Sequence, residues 1–397
     1  MPLDLGRRAP RVAGESARVS VTPVILSPVE AEELKRKNRR QSLVLAAAVL
    51  AGIVLLAFLF RWLGWEGGYT EHPFRRSEYL LDDVVTLVLY GRDRGAVEEA
   101  AEAAFTEMRR LEGIFNRHDP SSELARVNRE AHAAPLRVSP ELFEVLRMSK
   151  EIHVSTSGAF DVTLGALIDL WDVVGRRERG EGPPGEEEIA DALKRCGDGY
   201  LVLDEAEGTV FLAREGVILD LGGVAKGYAA DAALRILRER GLGSGIIDMV
   251  STMRVFGNKP REAGGPDWRV AVMHPREEGE NLGILTLRGD SALSTSGDYQ
   301  RCFEYAGERY HHIFDPRTGY PARSSMSCTV LDTQAGERAG AEMDALSTAL
   351  FVMGYPEAVE WAGSRGLEVA LVDGEGQLRA TPGMENLLKE TSTDITP

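Results

Sequence analysis

The sequence predicts an α+β fold, in which strands and helices are mixed along the chain without strict β-α-β alternation. Stretches typical of strands and stretches with an apolar residue every three to four positions, typical of helices, occur in both halves of the chain. With 397 residues, of which 43% are hydrophobic and 27% charged, the chain is long enough to bury a large core. No internal repeat is visible in the sequence.

The first half of the predicted domain begins with a strand and a helix. Residues 84–91 (VVTLVLYG) predict the strand, and apolar positions spread over 96–115 form a helical stripe. The Ser-Pro-Glu sequence at 139–141 is typical of a helix start, because the serine hydroxyl caps free N–H groups and proline suits the first turn. Further along we expect a helix over 166–174, an acidic-headed helix over 186–195 and a hairpin over 200–213.

Two apolar helices dominate the second half. Residues 217–223 (VILDLGG) predict a strand that runs into a helix from Val224 to about Arg240, which Gly241 ends. A second helix extends from about Ala341 to Met353 and stops at the following glycine. The other expected elements are strands near 245–256, 268–273, 283–287 and 326–331, a helix led by Pro356 and a final strand pair.

A long apolar stretch near the N-terminus predicts a membrane anchor. Residues 43–60 are 18 consecutive apolar or small residues, close to the roughly 20 that a bilayer-spanning helix needs. Five basic residues precede it within 35–40, so the positive-inside rule places the N-terminus in the cytoplasm. The alternative, a cleavable signal peptide, would start nearer Met1, have a shorter apolar core and precede a small-residue cleavage site.

These features predict a simple organisation. The expected segments are a basic cytoplasmic tail (1–42), a transmembrane anchor (43–63), a linker (64–78), one globular domain (79–385) and a C-terminal tail (386–397). The net charge is −16, and because residues 1–60 carry nine Lys/Arg against five Asp/Glu, the acidic excess lies in the body. An acidic body argues against nucleic acid as a partner.

The three cysteines, Cys196, Cys302 and Cys328, are scattered and lack Cys-x-x-Cys spacing. They predict neither a disulfide framework nor a thiolate metal site, although three thiols leave room for one disulfide. The sequence also has no His-rich ligand set for zinc and no Gly-x-Ser-x-Gly nucleophile motif.

The segment DLGGVAKGYAAD (220–231) combines glycines with a cation. Gly222 and Gly223 lie at the predicted strand-to-helix turn, where missing Cβ atoms let a ligand approach and helix N–H groups face an anion. Lys226 adds a full charge suited to phosphate. The alternative is a plain tight turn, because the segment matches neither a Walker A loop nor a dinucleotide fingerprint.

Asp344 and Thr348 are four residues apart, so they share one face of a predicted apolar helix. A carboxylate and a hydroxyl are hard oxygen ligands that suit Mg²⁺, with carbonyl or phosphate oxygens completing the shell. The alternative is an aspartate near a helix start and a threonine that bonds to its own helix backbone.

Two further segments place polar groups at expected turns. YHHIFDPRTGY (310–320) contains His311 and His312, and only one of them can face a given site because neighbours on a strand alternate. A histidine can orient or deprotonate a hydroxyl, and it can equally be structural. STSGDYQRCF (294–303) is a hydroxyl- and glycine-rich turn that either binds phosphate or closes a loop.

Together and in this order, the segments resemble the motifs of the ApbE family of FAD:protein FMN transferases. The resemblance covers about residues 78–375, and it includes two earlier segments, FNRHDPSSELARVN (115–128) and STSGAFDVTLGALIDLW (155–171). It implies a single α+β domain with FAD, the substrate, lying in a cleft.

The resemblance also implies roles for individual residues. Mg²⁺ would be held by the Gly223 carbonyl and by the side chains of Asp344 and Thr348. His312 and Asp344 would be catalytic, which leaves His311 as structural. The residues implied in binding the flavin nucleotide are Asn128, Ala159, Phe160, Asp161, Lys226, Asp231, Ser296, Gly297 and Asp298.

The implied reaction is a phosphoryl transfer from FAD. An acceptor hydroxyl of a threonine or serine attacks the FMN phosphorus and AMP leaves, so positioning and charge neutralisation carry most of the catalysis. The chain lacks the acceptor motif of the family, since its nearest match, residues 157–159, is followed by Phe160. We therefore expect a separate acceptor protein, by analogy a redox-complex subunit at the outer face of a bacterial inner (cytoplasmic) membrane.

Two places depart from the family pattern. Val250-Ser251-Thr252 stands where a Gly-Gly-Asn or Gly-Gly-Asp loop is usual, and Leu81-Asp82-Asp83 replaces a Met-Gly-Thr or Asp-Thr turn. The first brings a β-branched residue to a glycine position, and the second adds negative charge near the nucleotide. Two alternatives to a transferase therefore stay open: an FAD pyrophosphatase that releases FMN and AMP, and a non-catalytic membrane-tethered flavin-binding or assembly protein.

Overall fold

The structure of the protein is a computed structural model that describes residues 72–388. The strands within this range are β1 (Phe74–Leu80), β2 (Asp83–Leu89), β3 (Leu136–Arg137), β4 (Leu201–Asp204), β5 (Thr209–Leu212), β6 (Gly245–Met249), β7 (Thr252–Phe256), β8 (Trp268–Met273), β9 (Asn281–Leu287), β10 (Ser291–Gly297), β11 (Cys302–Tyr305), β12 (Glu308–His311), β13 (Ser325–Asp332), β14 (Glu368–Asp373) and β15 (Leu378–Ala380). Eight of them form one antiparallel sheet in the order β1-β2-β6-β7-β10-β13-β14-β15. The others form a small sheet, β3-β5-β4, and the hairpins β8-β9 and β11-β12.

The helices within the same range are α1 (Arg94–Phe115), α2 (Glu123–Glu130), α3 (Pro140–Ser155), α4 (Gly165–Trp171), α5 (Val173–Arg179), α6 (Glu186–Leu193), α7 (Ala225–Glu239), α8 (Ala339–Met353), α9 (Glu357–Gly363) and α10 (Pro382–Leu387). Helices α7 and α8 pack side by side on one face of the large sheet, and α1 packs on α7. The hairpin β8-β9 and α10 cover apolar side chains of the opposite face. Helices gathered on an antiparallel sheet confirm the predicted α+β class.

Local sequence signals account for several element boundaries. The Ser139 hydroxyl accepts from the Leu142 N–H at 3.3 Å and caps α3, as the Ser-Pro-Glu sequence predicts. The single helix predicted over 166–174 is instead two helices, α4 and α5. Asp172 separates them because it takes a left-handed conformation with φ of 35° and caps α5 with its side chain.

The strand predicted within 217–223 does not form, and this prediction is wrong. Its backbone groups form hydrogen bonds with side chains and loops in place of a neighbouring strand. The Leu219 N–H donates to the Asn128 side chain at 2.8 Å, and the Leu219 carbonyl accepts from it at 3.0 Å. The Ile218 carbonyl accepts from Gly165 and the Asp220 N–H donates to Val162. The segment is therefore held by side-chain and single-bridge contacts where it enters α7.

The described residues, 72–388, cover only part of the predicted organisation. Strand β1 begins at Phe74, five residues before the expected domain start at 79, and α10 extends just past 385. The predicted anchor at 43–63 lies outside the described residues. Within 72–388, no helix has the length and apolar character needed to cross a bilayer. Cys196, Cys302 and Cys328 are all free thiols.

Helices α7 and α8 approach each other closely through a pair of glycines. A Cβ atom on Gly227 would lie 2.1 Å from the Gly340 carbonyl oxygen, so no larger residue fits at that position without moving the helices. Next to this contact, Asp231 of α7 accepts from the N–H groups of Gly340 (3.0 Å) and Ala341 (2.9 Å) at the start of α8. It also lies 3.2 Å from Arg254, which is fully buried in β7.

Candidate functional site

The predicted metal ligands meet where the start of α7 faces α8. Asp344 and Thr348 lie one turn apart on α8, and Asp344 Oδ2 accepts from the Gly227 N–H at 2.9 Å. A Cβ atom on Gly223 would lie 3.6 Å from Thr348 Oγ1, which shows that the glycine turn borders the same space. The structure thus brings together the three residues that the resemblance assigns to the metal.

Asp344 is a buried carboxylate surrounded by donors. Its Oδ1 accepts from Thr252 Oγ1 at 2.8 Å and more weakly from Ser294 Oγ at 3.4 Å. Burial raises the pKa of Asp344, whereas the positive charge of Lys226 and these hydrogen bonds favour the ionised form. A cation bound beside Asp344 would therefore remove an electrostatic penalty that the protein groups offset only in part.

The donor set fits Mg²⁺. Within residues 72–388, no cluster of three or more His, Cys, Asp or Glu side chains is arranged around one point, so a site built only from such groups is not indicated there. Mg²⁺ commonly uses one or two carboxylates and takes its remaining ligands from water and substrate phosphates. One carboxylate, one hydroxyl and one backbone carbonyl, at Asp344, Thr348 and Gly223, match that requirement.

Lys226 lies on the first turn of α7 and faces the β1-β2 turn. Its Nζ is 3.3 Å from Asp83 Oδ2. Leu81 and Asp82 form the two-residue turn and have φ values of 54° and 61°, typical of a type I′ hairpin. The acidic departure from the family pattern therefore contacts the lysine implied in nucleotide binding.

His312 has one ring nitrogen available as a base. Its Nδ1 lies 3.2 Å from the Arg301 carbonyl, which can only accept, so Nδ1 carries the hydrogen and Nε2 is basic. The residue keeps partial solvent contact. Burial of its ring among protein atoms, together with the nearby His311 and the positive charge of Arg301, lowers the pKa of His312 to about 4. His312 is therefore neutral at pH 7, as a general base must be.

His311 has the structural role expected of the second histidine. It is buried, its Nε2 donates to the Ala322 carbonyl at 2.7 Å, and its Nδ1 accepts from the Ile313 N–H at 3.2 Å. Both ring nitrogens are thus occupied by the backbone, and burial lowers the pKa of the ring.

The other predicted nucleotide-binding residues divide into two groups. Phe160 and Ser296 border the metal ligands: the Phe160 ring lies against Gly223, and Ser296 Oγ is 3.1 Å from Thr348 Oγ1. Ala159 and Asp161 flank Phe160 in the same loop, and Gly297 follows Ser296 at the end of β10. Oδ1 of Asp161 itself accepts from the N–H of Thr163 at 2.7 Å and from its hydroxyl at 2.6 Å.

The second group is occupied by protein contacts. Asn128 uses its amide on the Leu219 backbone, Asp231 holds the start of α8, and Asp298 forms a bidentate ion pair with Arg276 at 2.6 and 2.7 Å. In this structure these three side chains shape the surroundings of the site rather than facing the metal ligands.

Comparisons with known proteins agree with this arrangement. The model of the ApbE family matches residues 81–371. The chain belongs to the ApbE family. An FAD:protein FMN transferase of Treponema pallidum (strain Nichols) is 31% identical over 296 residues, 72% of this chain and 80% of that protein. Another of Klebsiella pneumoniae (strain 342) is 30% identical over 280 residues, 70% of this chain and 82% of that protein.

Solved structures show the same likeness. The ApbE protein from Thermotoga maritima has a TM-score of 0.72 and 30% identity, and the match covers 80% of this chain and all of that one. The apo flavinyl transferase ApbE from Pseudomonas stutzeri has a TM-score of 0.69 and 26% identity, over 81% of this chain and 98% of that one. The predicted family and the predicted enzyme class, an FAD:protein FMN transferase, are confirmed.

The loop that departs from the ApbE pattern contributes directly to the site. Val250 has φ of 65°, a conformation that glycine adopts freely and a β-branched residue rarely does. Two residues later, Thr252 donates to Asp344, which lies 92 positions further along the chain. No local pattern in the sequence indicates this contact. The one signal that could have found it is the hydroxyl at the position where the family pattern has Asn or Asp.

We predict that His312 stays neutral down to about pH 5, because its pKa is lowered to about 4. The measurement is an NMR titration of the full-length chain labelled with ¹⁵N-histidine from pH 8 to 4.5, with a His312→Gln variant to assign the signal. A titration midpoint near the ordinary histidine value of about 6.5 would contradict this expectation.

We predict that Val250→Gly raises the free energy of unfolding by about 1 kcal/mol, because glycine removes the left-handed strain. Val250 is 57% exposed, so little packing is lost. Val84→Gly is the matched control, because Val84 is a similarly exposed valine within β2. This variant should lower the free energy of unfolding by about 0.5–1 kcal/mol. Denaturant unfolding of the full-length variants measures both free energies of unfolding. A lower value for Val250→Gly than for the wild type would refute the inference that the backbone at Val250 is strained.

Proposed function

We propose that this chain transfers the FMN half of FAD to a threonine or serine hydroxyl of a separate acceptor protein, with Mg²⁺ required and AMP released. The observation that carries the proposal is the juxtaposition of two features. The cationic, glycine-rich start of α7 and the oxygen ligands of α8 meet at one point, where Gly227 contacts Asp344 at 2.9 Å. An FAD pyrophosphate needs both features together.

Binding of the pyrophosphate falls to the start of α7. Lys226 supplies a full positive charge, and the small residues Gly222 and Gly223 let phosphate oxygens approach the backbone. Mg²⁺ held by Gly223, Asp344 and Thr348 would neutralise the charge that develops on the phosphate oxygens. The buried ring of Phe160 packs beside Gly223.

His312 is the proposed base that takes the proton of the acceptor hydroxyl. The hydroxyl oxygen forms a bond to the FMN phosphorus, the bond from that phosphorus to the bridging oxygen breaks, and AMP leaves with the electron pair. Nε2 of His312 takes the hydroxyl proton, since Nδ1 is held on the Arg301 carbonyl and the ring is neutral at pH 7. The same residues serve the transferase whichever hydroxyl amino acid the acceptor presents.

We further propose that the domain lies at the extracytoplasmic face of a bacterial cytoplasmic membrane, tethered by residues 43–63. The support is the 18-residue apolar stretch and its basic N-terminal flank. Alkaline phosphatase fused after residue 397 should be active in intact cells and lose that activity when 43–63 are deleted. Activity only in lysed cells would overturn this location.

We expect Asp344→Asn to reduce AMP release by at least about a hundredfold, because the cation loses its carboxylate ligand. The assay incubates the full-length chain with FAD, Mg²⁺ and a candidate acceptor, then measures AMP and the flavin fluorescence retained on the denatured acceptor. Asp373→Asn is the matched control, a buried aspartate at the end of β14 that should keep full activity.

The same assay separates the alternatives. AMP without labelled acceptor, across several acceptors, would favour an FAD pyrophosphatase. FAD binding without AMP would favour a flavin-binding protein and would refute both enzymes. Equal activity of the Asp344→Asn and Asp373→Asn variants would show that the site lies elsewhere.

A further inference from the structure

A continuous chain of hydroxyl groups connects the two side chains proposed to hold the cation. We name as the "hydroxyl chain" the residues Thr252, Ser294, Ser347 and Ser296, taken in that order from Asp344 to Thr348. The successive oxygen–oxygen distances are 2.8 Å from Asp344 Oδ1 to Thr252, 2.9 Å to Ser294, 3.2 Å to Ser347, 2.9 Å to Ser296 and 3.1 Å to Thr348.

Most of the hydroxyl chain is shielded from water. Thr252, Ser294 and Ser347 are each 1% exposed. Buried hydroxyls satisfy their hydrogen bonds internally, and in a low-dielectric interior each bond polarises the next one. The positions of the hydrogens are therefore set by the acceptor groups that the protein places beside each hydroxyl.

Acceptor groups of Asp344 fix the direction of most hydrogen bonds in the hydroxyl chain. An ionised carboxylate only accepts and each hydroxyl has one hydrogen, so Thr252 donates to Asp344. The hydrogen of Ser294 has three acceptors within reach: Thr252 Oγ1 at 2.9 Å, the Ser251 carbonyl at 3.1 Å and Asp344 Oδ1 at 3.4 Å. Ser347 donates its hydrogen to the backbone carbonyl of Asp344 at 2.9 Å, with the Ser294 oxygen as a second and more distant acceptor at 3.2 Å.

The direction continues to the other end. Since the hydrogen of Ser347 is committed, the contact between Ser347 and Ser296 needs the hydrogen of Ser296. Ser296 can then only accept from Thr348. The hydrogen of Thr348 points at Ser296, and the lone pairs of Oγ1 point elsewhere.

The carboxylate is oriented in the same way. Oδ1 of Asp344 takes the hydrogen bond from Thr252, while within residues 72–388 the hydrogen-bond donor to Oδ2 is the Gly227 N–H. A carboxylate oxygen has two acceptor directions, so Oδ2 retains one for a cation.

We propose that the hydroxyl chain is a positioning network that presents Oδ2 of Asp344 and the lone pairs of Thr348 to a divalent cation. It does so by holding Oδ1 from one end and the Thr348 hydrogen from the other. The inference rests on the proposed Mg²⁺ site and adds to it four positioning residues, of which only Ser296 is among the residues that the resemblance implies in binding.

The experiment measures binding of Mn²⁺, a probe for Mg²⁺, to the full-length chain by the loss of the free-ion EPR signal, with and without FAD. Ser347→Ala interrupts the hydroxyl chain and Thr252→Val removes its first donor while keeping the shape. We expect each to weaken Mn²⁺ binding about tenfold, the scale of outer-sphere effects at metal sites. Thr252→Ser keeps the donor and should restore wild-type affinity.

Ser149→Ala is the control for the loss of a buried serine, because Ser149 lies in α3 and its hydroxyl bonds to its own helix at the Val145 carbonyl. It should bind Mn²⁺ as the wild type does. If Ser347→Ala and Thr252→Val also bind like the wild type, the hydroxyl chain is merely structural and the proposed function stands. If the wild type binds no Mn²⁺ even with FAD, the proposed cation site itself is wrong.

Discussion

The contact between the Asp344 carboxylate and the first turn of α7 fixes the geometry on which the site depends. The Gly227 N–H donates to Asp344 Oδ2 at 2.9 Å, so a negative group sits at the positive end of a helix. The two helices must lie very close for this contact, and Gly227 has no Cβ atom to prevent it. The glycine turn before α7 and the ligands on α8 are therefore held in a fixed relation.

A second carboxylate forms the reciprocal contact. Asp231 of α7 accepts from the first N–H groups of α8, and burial raises its pKa to about 7 although Arg254 opposes this. The two aspartates differ in whether a cationic side chain forms an ion pair with them. Asp231 has the guanidinium of Arg254 at 3.2 Å, whereas no ion pair to Asp344 occurs within residues 72–388. Asp231 is thus paired within the protein, whereas Asp344 keeps one acceptor position for the cation that we propose there.

Sequence reasoning succeeded where the chemistry is local. The cap at Ser139, the glycine stop after α8 and the i, i+4 pair of Asp344 and Thr348 are each visible within a few residues. It failed where distant groups decide the outcome. Leu219 gives its backbone hydrogen bonds to the side chain of Asn128, 91 residues away, so a strand-like segment forms no strand.

The site shows the same division. The residues proposed to bind or react could be chosen from the sequence because their types and spacing carry chemistry, but the groups that orient them could not. Thr252, Ser294 and Ser347 are ordinary hydroxyl residues in sequence, and only the pairing of β7 with β10 and the packing of α8 bring them together. Orientation is thus a property of the fold, while the reactive groups are a property of the local sequence.

Under the proposed function, the acidic β1-β2 turn would affect FAD affinity more than the chemistry of transfer. Asp83 lies 3.3 Å from Lys226, so a pyrophosphate bound there would have to replace it at the lysine. The side chains are 18% and 25% exposed, and a pair of this kind contributes about 1 kcal/mol, which corresponds to about fivefold in binding. A phosphate group carries more charge than one carboxylate and could also reach the α7 backbone, so under the proposed function it would outcompete Asp83. The departure would then weaken FAD binding modestly and leave the residues proposed to react unchanged.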